Sequence, residues 1–361
     1  MGNFEELKNL LPYSDYLALD SMEEFHFLQS RIPYYDRLIR NGNYWVLMFE
    51  DGSKLRFTHE DEMVPEYPEC IDLTVSNRCT QGCPFCYANC TPDGREADFT
   101  LHRVLFDELQ ANHPGIEIAL NINELDSYFL KQFTDRFSND FYINGTINGE
   151  YLIKALTENP DSGIKLMEMM SQNKIRGLGI SVPTRDVMTI PFNETLDFIS
   201  KFKSRIVLHV IAGIHSPQLI RQLSDRGFSI LILGFKRIGR GVQYSAKFES
   251  DLISMTDFMM QLIKDLYLSK SFRSSFAFDG LALEQLKVRE WIEPKIFEKL
   301  YSGDEGEFSM YIDLVKDEYS ISSISDWRKR FDIDAAGFDR HTSILSMFQD
   351  IYNRRGEICQ M

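Results

Sequence analysis

From residue 71 onward, short β-branched runs alternate with longer amphipathic stretches, and this alternation limits the folds open to the chain more than any other feature. Strands are predicted at Ile71–Ser76, Ile116–Asn121, Phe141–Asn148, Leu178–Val182, Ile206–Ala212, Ile230–Phe235 and Ser275–Phe278. Helices are predicted around Leu101–Ala111, Leu125–Phe137, Tyr151–Leu156 with Ile164–Gln172, Glu194–Phe202, Pro217–Asp225 and Asp251–Leu268. Right-handed connections curl six or seven such α/β units into a full or partial barrel more simply than into an open doubly wound sheet. No G-x-G-x-x-G opens a helix after the first strand, which argues against a dinucleotide fold. The stretch Cys79-Thr80-Gln81-Gly82-Cys83-Pro84-Phe85-Cys86-Tyr87 occupies that place. Loops at the C-terminal ends of barrel strands carry the active site, so these thiols sit where a barrel keeps its chemistry.

Two flanks lie outside the repeat. Residues 1–66 form an acidic lead-in, thirteen Asp/Glu against six Lys/Arg, in which two helices precede a hairpin. The runs Tyr44–Phe49 and Lys54–Phe57 flank Asp51-Gly52, a dipeptide that tolerates the positive φ of a tight turn, and Pro65 and Pro68 mark a linker. The barrel domain is assigned to residues 67–285. Beyond it, in residues 286–361, the alternation fades into Trp291–Tyr301, a polar turn, a strand-like Phe308–Leu314 and a final helix near Ser343–Asn353. This C-terminal extension either caps the barrel mouth or lies along one side.

With 361 residues, 43% of them hydrophobic, the chain can bury a barrel-sized core. Its formal charge of −15 and its lack of any Lys/Arg run disfavour extended contact with nucleic acid, while a small nucleotide substrate stays open. The N-terminus lacks the layout of a signal peptide, and no apolar run reaches bilayer-spanning length. A soluble, cytoplasmic protein without a membrane partner is expected. Six cysteines are too few for a disulfide scaffold, and clustered reduced thiols suit a reducing compartment and predict sensitivity to oxygen.

Four of the six cysteines (Cys79, Cys83, Cys86, Cys90) fall within twelve residues, where an even spread would place about 0.2. Gly82 permits unusual φ and Pro84 freezes part of the turn, as a loop wrapped around a metal centre requires. The residue types alone leave the guest open: an iron–sulfur cluster, with Cys83-x2-Cys86-x3-Cys90 also looking like part of a ferredoxin run, or zinc held by Cys83 and Cys86. A ferredoxin-like cluster needs a further thiolate and zinc a second ligand pair, whereas Cys70 and Cys359 are isolated. A non-catalytic iron–sulfur or zinc-binding protein is therefore the alternative to an enzyme.

The spacing Cys-x3-Cys-x2-Cys, with an aromatic before the third cysteine, resembles the signature loop of the radical S-adenosylmethionine (radical SAM) enzymes. That resemblance implies a partial (β/α)6 TIM-like barrel, to which the two flanks add an N-terminal α+β extension and a short C-terminal extension. It also implies a [4Fe–4S] cluster held by Cys79, Cys83 and Cys86, with the fourth iron free to chelate S-adenosyl-L-methionine. Reduction then splits the sulfonium, and the 5′-deoxyadenosyl radical abstracts hydrogen from a substrate. An electron donor such as flavodoxin or ferredoxin is implied as a partner. Cys90 is read as a spare thiol, and Cys70 and Cys359 as structural or incidental.

The same resemblance suggests cofactor contacts. Phe85 stands where the family reads adenine with a backbone group. Asn121-Ile122-Asn123-Glu124 occupies the place of a glycine-rich turn that receives the methionine amine, but has no glycine, so Glu124 is carried over against a helix-start role. Asn148 and Ser181, at the ends of the third and fourth strands, are positioned for ribose or carboxylate. His209-Val210-Ile211-Ala212-Gly213 resembles the adenine-binding G-x-I-x-G stretch with His209 for the first glycine, making Ile211 and Gly213 the candidates. Lys236, with Arg237 and Arg240, is a candidate for a carboxylate or phosphate, and Asp279 and Glu284 for substrate contacts. No catalytic residue is assigned. Residues Gly303–Asp313 faintly resemble the start of the SPASM extension of peptide-modifying members, without its auxiliary-cluster cysteines. One cluster and a peptide or protein substrate, which the N-terminal hairpin would present by strand addition, are expected; a nucleoside or other small metabolite is the rival.

Overall fold

A computed structural model describes residues 2–49, 53–271, 274–301, 305–333 and 343–358. Asp51-Gly52, Gly303-Asp304 and Cys359 lie outside the described residues.

Three short helices, α1 (Leu7–Leu10), α2 (Tyr13–Asp20) and α3 (Glu23–Gln29), precede an antiparallel sheet of β1 (Arg37–Asn41), β2 (Tyr44–Met48) and β3 (Lys54–Phe57). The predicted hairpin is the β2–β3 pair. The additional strand β1 is hidden in the sequence because Arg37-Leu38-Ile39-Arg40-Asn41 carries only two apolar residues; its pairing with β2 depends on the turn at Gly42, which adopts φ +59°.

Seven parallel strands then pair in chain order: β4 (Cys70–Thr74), β5 (Glu117–Ile122), β6 (Tyr142–Asn148), β7 (Gly177–Ser181), β8 (Ile206–Ile211), β9 (Ser229–Leu233) and β10 (Phe276–Phe278). The helices between them are α4 (Phe99–Asn112), α5 (Tyr128–Phe137), α6 (Gly149–Glu158), α7 (Pro160–Ser171), α8 (Ile190–Phe198), α9 (Pro217–Asp225) and α10 (Arg240–Ser269). Short helices α11 (Gly280–Gln285) and α12 (Pro294–Leu300) follow. The chain then returns to the other edge of the sheet, where β11 (Ser309–Asp313) runs parallel to β4 with Ser309 opposite Cys70 and Asp313 opposite Thr74. Antiparallel β12 (Glu318–Ser320) and β13 (Lys329–Arg330) complete the sheet, and α13 (Ile344–Ile358) closes the described chain. The fold is thus a mixed α/β partial barrel, with the tail along its side.

Burial alternates along β4, β5, β7, β8 and β9 and, after its first residue, along β6. Outward residues such as Ile71, Leu73, Ile118, Leu120, Ile180, Leu208 and Ile230 are buried beneath the helices, where Phe106 meets Phe133 edge to face and Phe137 packs tilted against both. The inward residues Asp72, Asn121, Thr146, Asn148, Ser181 and His209 stay accessible. The interior is therefore a lumen rather than a packed core.

The N-terminal sheet closes the end of this lumen where the strands begin. Lys54 donates to Glu117 at 2.8 Å, Arg56 to Glu69 at 2.7 Å, and the Tyr44 hydroxyl to Glu69 at 2.7 Å. Burial acts to raise the Glu117 carboxyl, but Lys54 and a bond from Asn144 outweigh it and hold the group below its ordinary value. A carboxyl so depressed contributes stability that is complete above its unfolded value of about 4.3 and is lost as pH falls through the folded value. Glu117→Gln is accordingly expected to cost about 3 kcal/mol at pH 7, because it leaves Lys54 enclosed and unpaired, with the deficit shrinking toward pH 3.5. Urea denaturation of both proteins at the two pH values checks this.

Candidate active site

The cysteine loop leaves β4 at the C-terminal end of the strand and returns on itself. Isolated bridges join Ser76 to Glu96 and Arg78 to Thr91, Cys79 N–H donates to Thr91 O at 2.9 Å, and Cys86 N–H donates to Cys83 O at 3.2 Å. The thiols of Cys79, Cys83, Cys86 and Cys90 are free and half-buried. Burial first, then the neighbouring Cys86 and Cys79, push the Cys83 thiol up. The hydrogen bond between Cys90 and Cys86 lowers the Cys86 thiol and raises that of Cys90. Among the described residues, no three His, Cys, Asp or Glu side chains are arranged to hold a single metal ion. As a donor set, Cys79, Cys83 and Cys86 fit an iron–sulfur cluster: soft sulfur atoms on one short loop, with a hydrogen-bond donor already aimed at one of them.

That donor is Asn148. Its Oδ1 accepts from Glu150 N at 2.9 Å and Tyr151 N at 3.2 Å, capping α6, while its Nδ2 points at Cys83 Sγ at 3.7 Å. Glu124 is held by Arg78, one residue before Cys79, at 2.6 Å. The glycine-free turn around it is tied by side chains: Asn121 Nδ2 and Asn123 Nδ2 both donate to Ser76 O, at 2.8 and 3.0 Å, and Asn121 Oδ1 accepts from Val75 N.

Phe85 and Ile211 meet in one apolar patch with Ile214, Phe235 and Tyr244, the Phe85 ring lying edge-on to Tyr244 with centroids 5.6 Å apart. Gly213 turns the chain at φ +79° against Leu252 and Thr256 of α10. Ser181 ends β7, in register with Asn148 on one side and His209 on the other. The His209 ring lies across Gly179, where a Cβ would stand 2.4 Å from ring atom Cε1 and 3.1 Å from Thr146 Oγ1; glycine on the neighbouring strand makes its room. Burial pushes the imidazole down to about 4, so it is neutral near pH 7.

The three cations beyond β9 separate. Arg237 pairs outward with Glu249 at 3.3 Å. Lys236 turns inward, its Nζ 4.1 Å from the centroid of the Tyr87 ring and 2.9 Å from Ser323 Oγ. Arg240 reaches the cysteine loop. Near Lys236 in the lumen stands Asp72, which water still reaches but whose carboxyl is raised by desolvation from the surrounding barrel, against the opposing pull of that lysine. Burial lowers the Lys236 ammonium against the pull of Asp72, Asp279 and Glu305. Tyr311, opposite Asp72 on β11, shares a 2.9 Å hydrogen bond with Thr74. Asp279 is taken up as the cap of α11, accepting from Gly234 N at 2.9 Å and Ala282 N at 2.7 Å, and Glu284 is exposed.

Sequence reasoning missed Asp72, and it assigned Arg240 to a ligand anion where the structure places it on the cysteine loop. Asp72 carried a signal, a lone charge inside the apolar run Ile71–Val75, which strand periodicity turns to the opposite face from Ile71 and Leu73. The contact of Arg240 with the cysteine loop carried none, since the two are at least 150 positions apart.

No family model matches the sequence, and no curated protein matches it. Its fold is similar to that of Streptococcus suis SuiB bound to precursor peptide SuiA, with a TM-score of 0.51 and 11% identity over 80% of this chain and 67% of that one. SuiB bound to S-adenosylmethionine gives a TM-score of 0.46, also at 11% identity, over 80% of this chain and 68% of that one. At this identity the first likeness is one of fold. Among the described residues, no helix is long and apolar enough to cross a membrane.

The loop rests directly on the start of α10. Gly239 adopts φ +58°, and a Cβ there would stand 2.2 Å from Tyr87 O. Gly239→Ala is expected to cost about 1–3 kcal/mol of stability and to displace the loop. A lower melting temperature together with faster labelling of Cys83 by a thiol reagent checks it.

Proposed function

We propose that this protein is a radical SAM enzyme that acts on a peptide or protein. The observation that carries the reading is the mounting of Cys79, Cys83 and Cys86 at the C-terminal end of β4, over an accessible polar lumen. A bound [4Fe–4S] cluster would supply reductive cleavage of S-adenosylmethionine to a 5′-deoxyadenosyl radical, the agent of hydrogen abstraction. The chain's own residues divide the remaining work. The three thiolates hold the cluster, and Asn148 donates toward Cys83. The patch of Phe85 and Ile211 offers an apolar surface for adenine, with Ser181 available to a ribose at the adjoining strand end. Glu124 acts through Arg78, steadying the loop beside Cys79.

The substrate's place is the lumen below, faced by Asp72, His209, Tyr87 and Lys236. Neutral His209 serves there as a hydrogen-bond partner, not as a charge. The N-terminal sheet closes the opposite end with its Lys54–Glu117 pair, so a substrate enters from the side of the cysteine loop. The choice of a peptide is supported by SuiB, which shares the fold and binds a precursor peptide.

Anaerobic reconstitution is expected to give a brown protein with about four iron atoms per chain. With S-adenosylmethionine and dithionite it should form 5′-deoxyadenosine, and Cys83→Ala should abolish that product; a colourless protein holding one tight zinc would overturn the reading. Faster deoxyadenosine formation with a peptide encoded by a neighbouring gene, but not with nucleosides, supports the substrate class, and the reverse response removes it. Asp72→Asn is expected to lower the peptide-stimulated rate about tenfold or more, and an undiminished response excludes Asp72 from the substrate's surroundings.

A further inference from the structure

One residue far from the cysteine loop in sequence is joined to three of its four cysteines. Arg240 opens α10; its backbone N–H donates to Cys86 O at 3.0 Å, its Nε to Cys83 O at 2.9 Å, and its Nη1 to Cys90 O at 2.9 Å. Gly239 presses the same backbone against Tyr87 O, so the approach is too close for any side chain at that position. The guanidinium is thereby fixed in a half-buried setting beside the thiols, and the first segment of α10, which runs as far as a kink at Phe248, adds the positive end of its dipole from the same side. Two of the donors belong to the planar fork of the arginine, which a lysine cannot reproduce.

We infer that Arg240 is a positioning residue that also sets the reduction potential of the cluster bound by this loop. The inference rests on the proposed radical SAM reading. Reduction adds negative charge to a centre already surrounded by thiolates. A cation held at fixed distance in a partly dry environment favours the reduced form over the oxidised one, because Coulomb attraction there is only weakly screened. The hydrogen bonds keep that distance constant. The other two cations of the segment do not serve this purpose: Lys236 is turned to Ser323 and Tyr87, and Arg237 is paired with Glu249.

The test uses the full chain, anaerobically reconstituted, with iron per chain and the cluster's midpoint potential read by an EPR-monitored redox titration. Arg240→Gln removes the charge while the backbone bond to Cys86 remains; it is expected to keep its iron and to show a reduced-to-oxidised ratio about tenfold lower at a fixed potential, equal to about 59 mV for a one-electron couple. Arg240→Lys, which restores the charge without the fork, should recover most of that shift. A Gln variant with the wild-type potential overturns the inference, as does a Lys variant shifted as far as the Gln variant. Should the Gln variant lose its iron, the Lys variant decides: iron and potential near wild type support the role of charge, and loss of either removes it. Wild-type protein that takes up no iron overturns the functional reading beneath this one, whereas a wild-type cluster insensitive to both substitutions overturns this inference alone.

Discussion

The period of two along a parallel strand is the constraint on which the rest of this molecule depends. Each of the strands β4 to β9 places branched aliphatic residues under the helices and the alternate residues in the lumen. Burial of the outer set against Phe106, Phe133 and Phe137 holds the sheet and its helices together. The inner set, small or polar on β4 to β7 and largely aliphatic on β8 and β9, is left partly accessible by the same sheet. Stability and site are opposite faces of one surface, and a register slip of one residue would exchange them.

The cysteine loop shows how little of a site's geometry is local. Its Gly and Pro supply the bends, but its position comes from elsewhere: Asn121 and Asn123 bond Ser76, Glu124 pairs with Arg78, Asn148 faces Cys83, and Arg240 spans three cysteine carbonyls. These contacts come from β5, β6, α10 and the segment after β5. A loop anchored by so many separate elements keeps its thiols in place only while the whole barrel is folded. The missing glycines at Asn121–Glu124 fit the same pattern, since asparagine side chains make the ties that backbone alone would otherwise provide.

Much of this was legible beforehand, and for physical reasons. All seven β-runs from residue 71 to 278 correspond to parallel strands, because a strand buried on its outer face must be apolar at alternate positions. Helix α9 matches its predicted bounds, its Pro217 following a capping Ser216. Strand β1 was not legible, being short, charged and dependent on its neighbour for pairing. Nor was the return of β11 to the edge of β4, since a contact between residues more than 230 positions apart leaves no periodic trace. The candidate site divides in the same way. Asn148 was visible as a polar residue at a strand end, but only its packing shows one amide serving both a helix cap and a thiol. Lys236, Arg237 and Arg240 look alike in sequence and acquire three different surroundings in space.

The sequence alone therefore determined the repeated α/β pattern, the thiol loop at the end of its first strand, and the acidic character of the chain, because each is a matter of residue type and short-range spacing. The tertiary structure decided which charges face the lumen, which end of it is closed, and which arginine stands beside the thiols. Those outcomes depend on side chains converging from distant strands and helices, and distance along the chain carries no information about that convergence until the sheet has curled and its helices have packed.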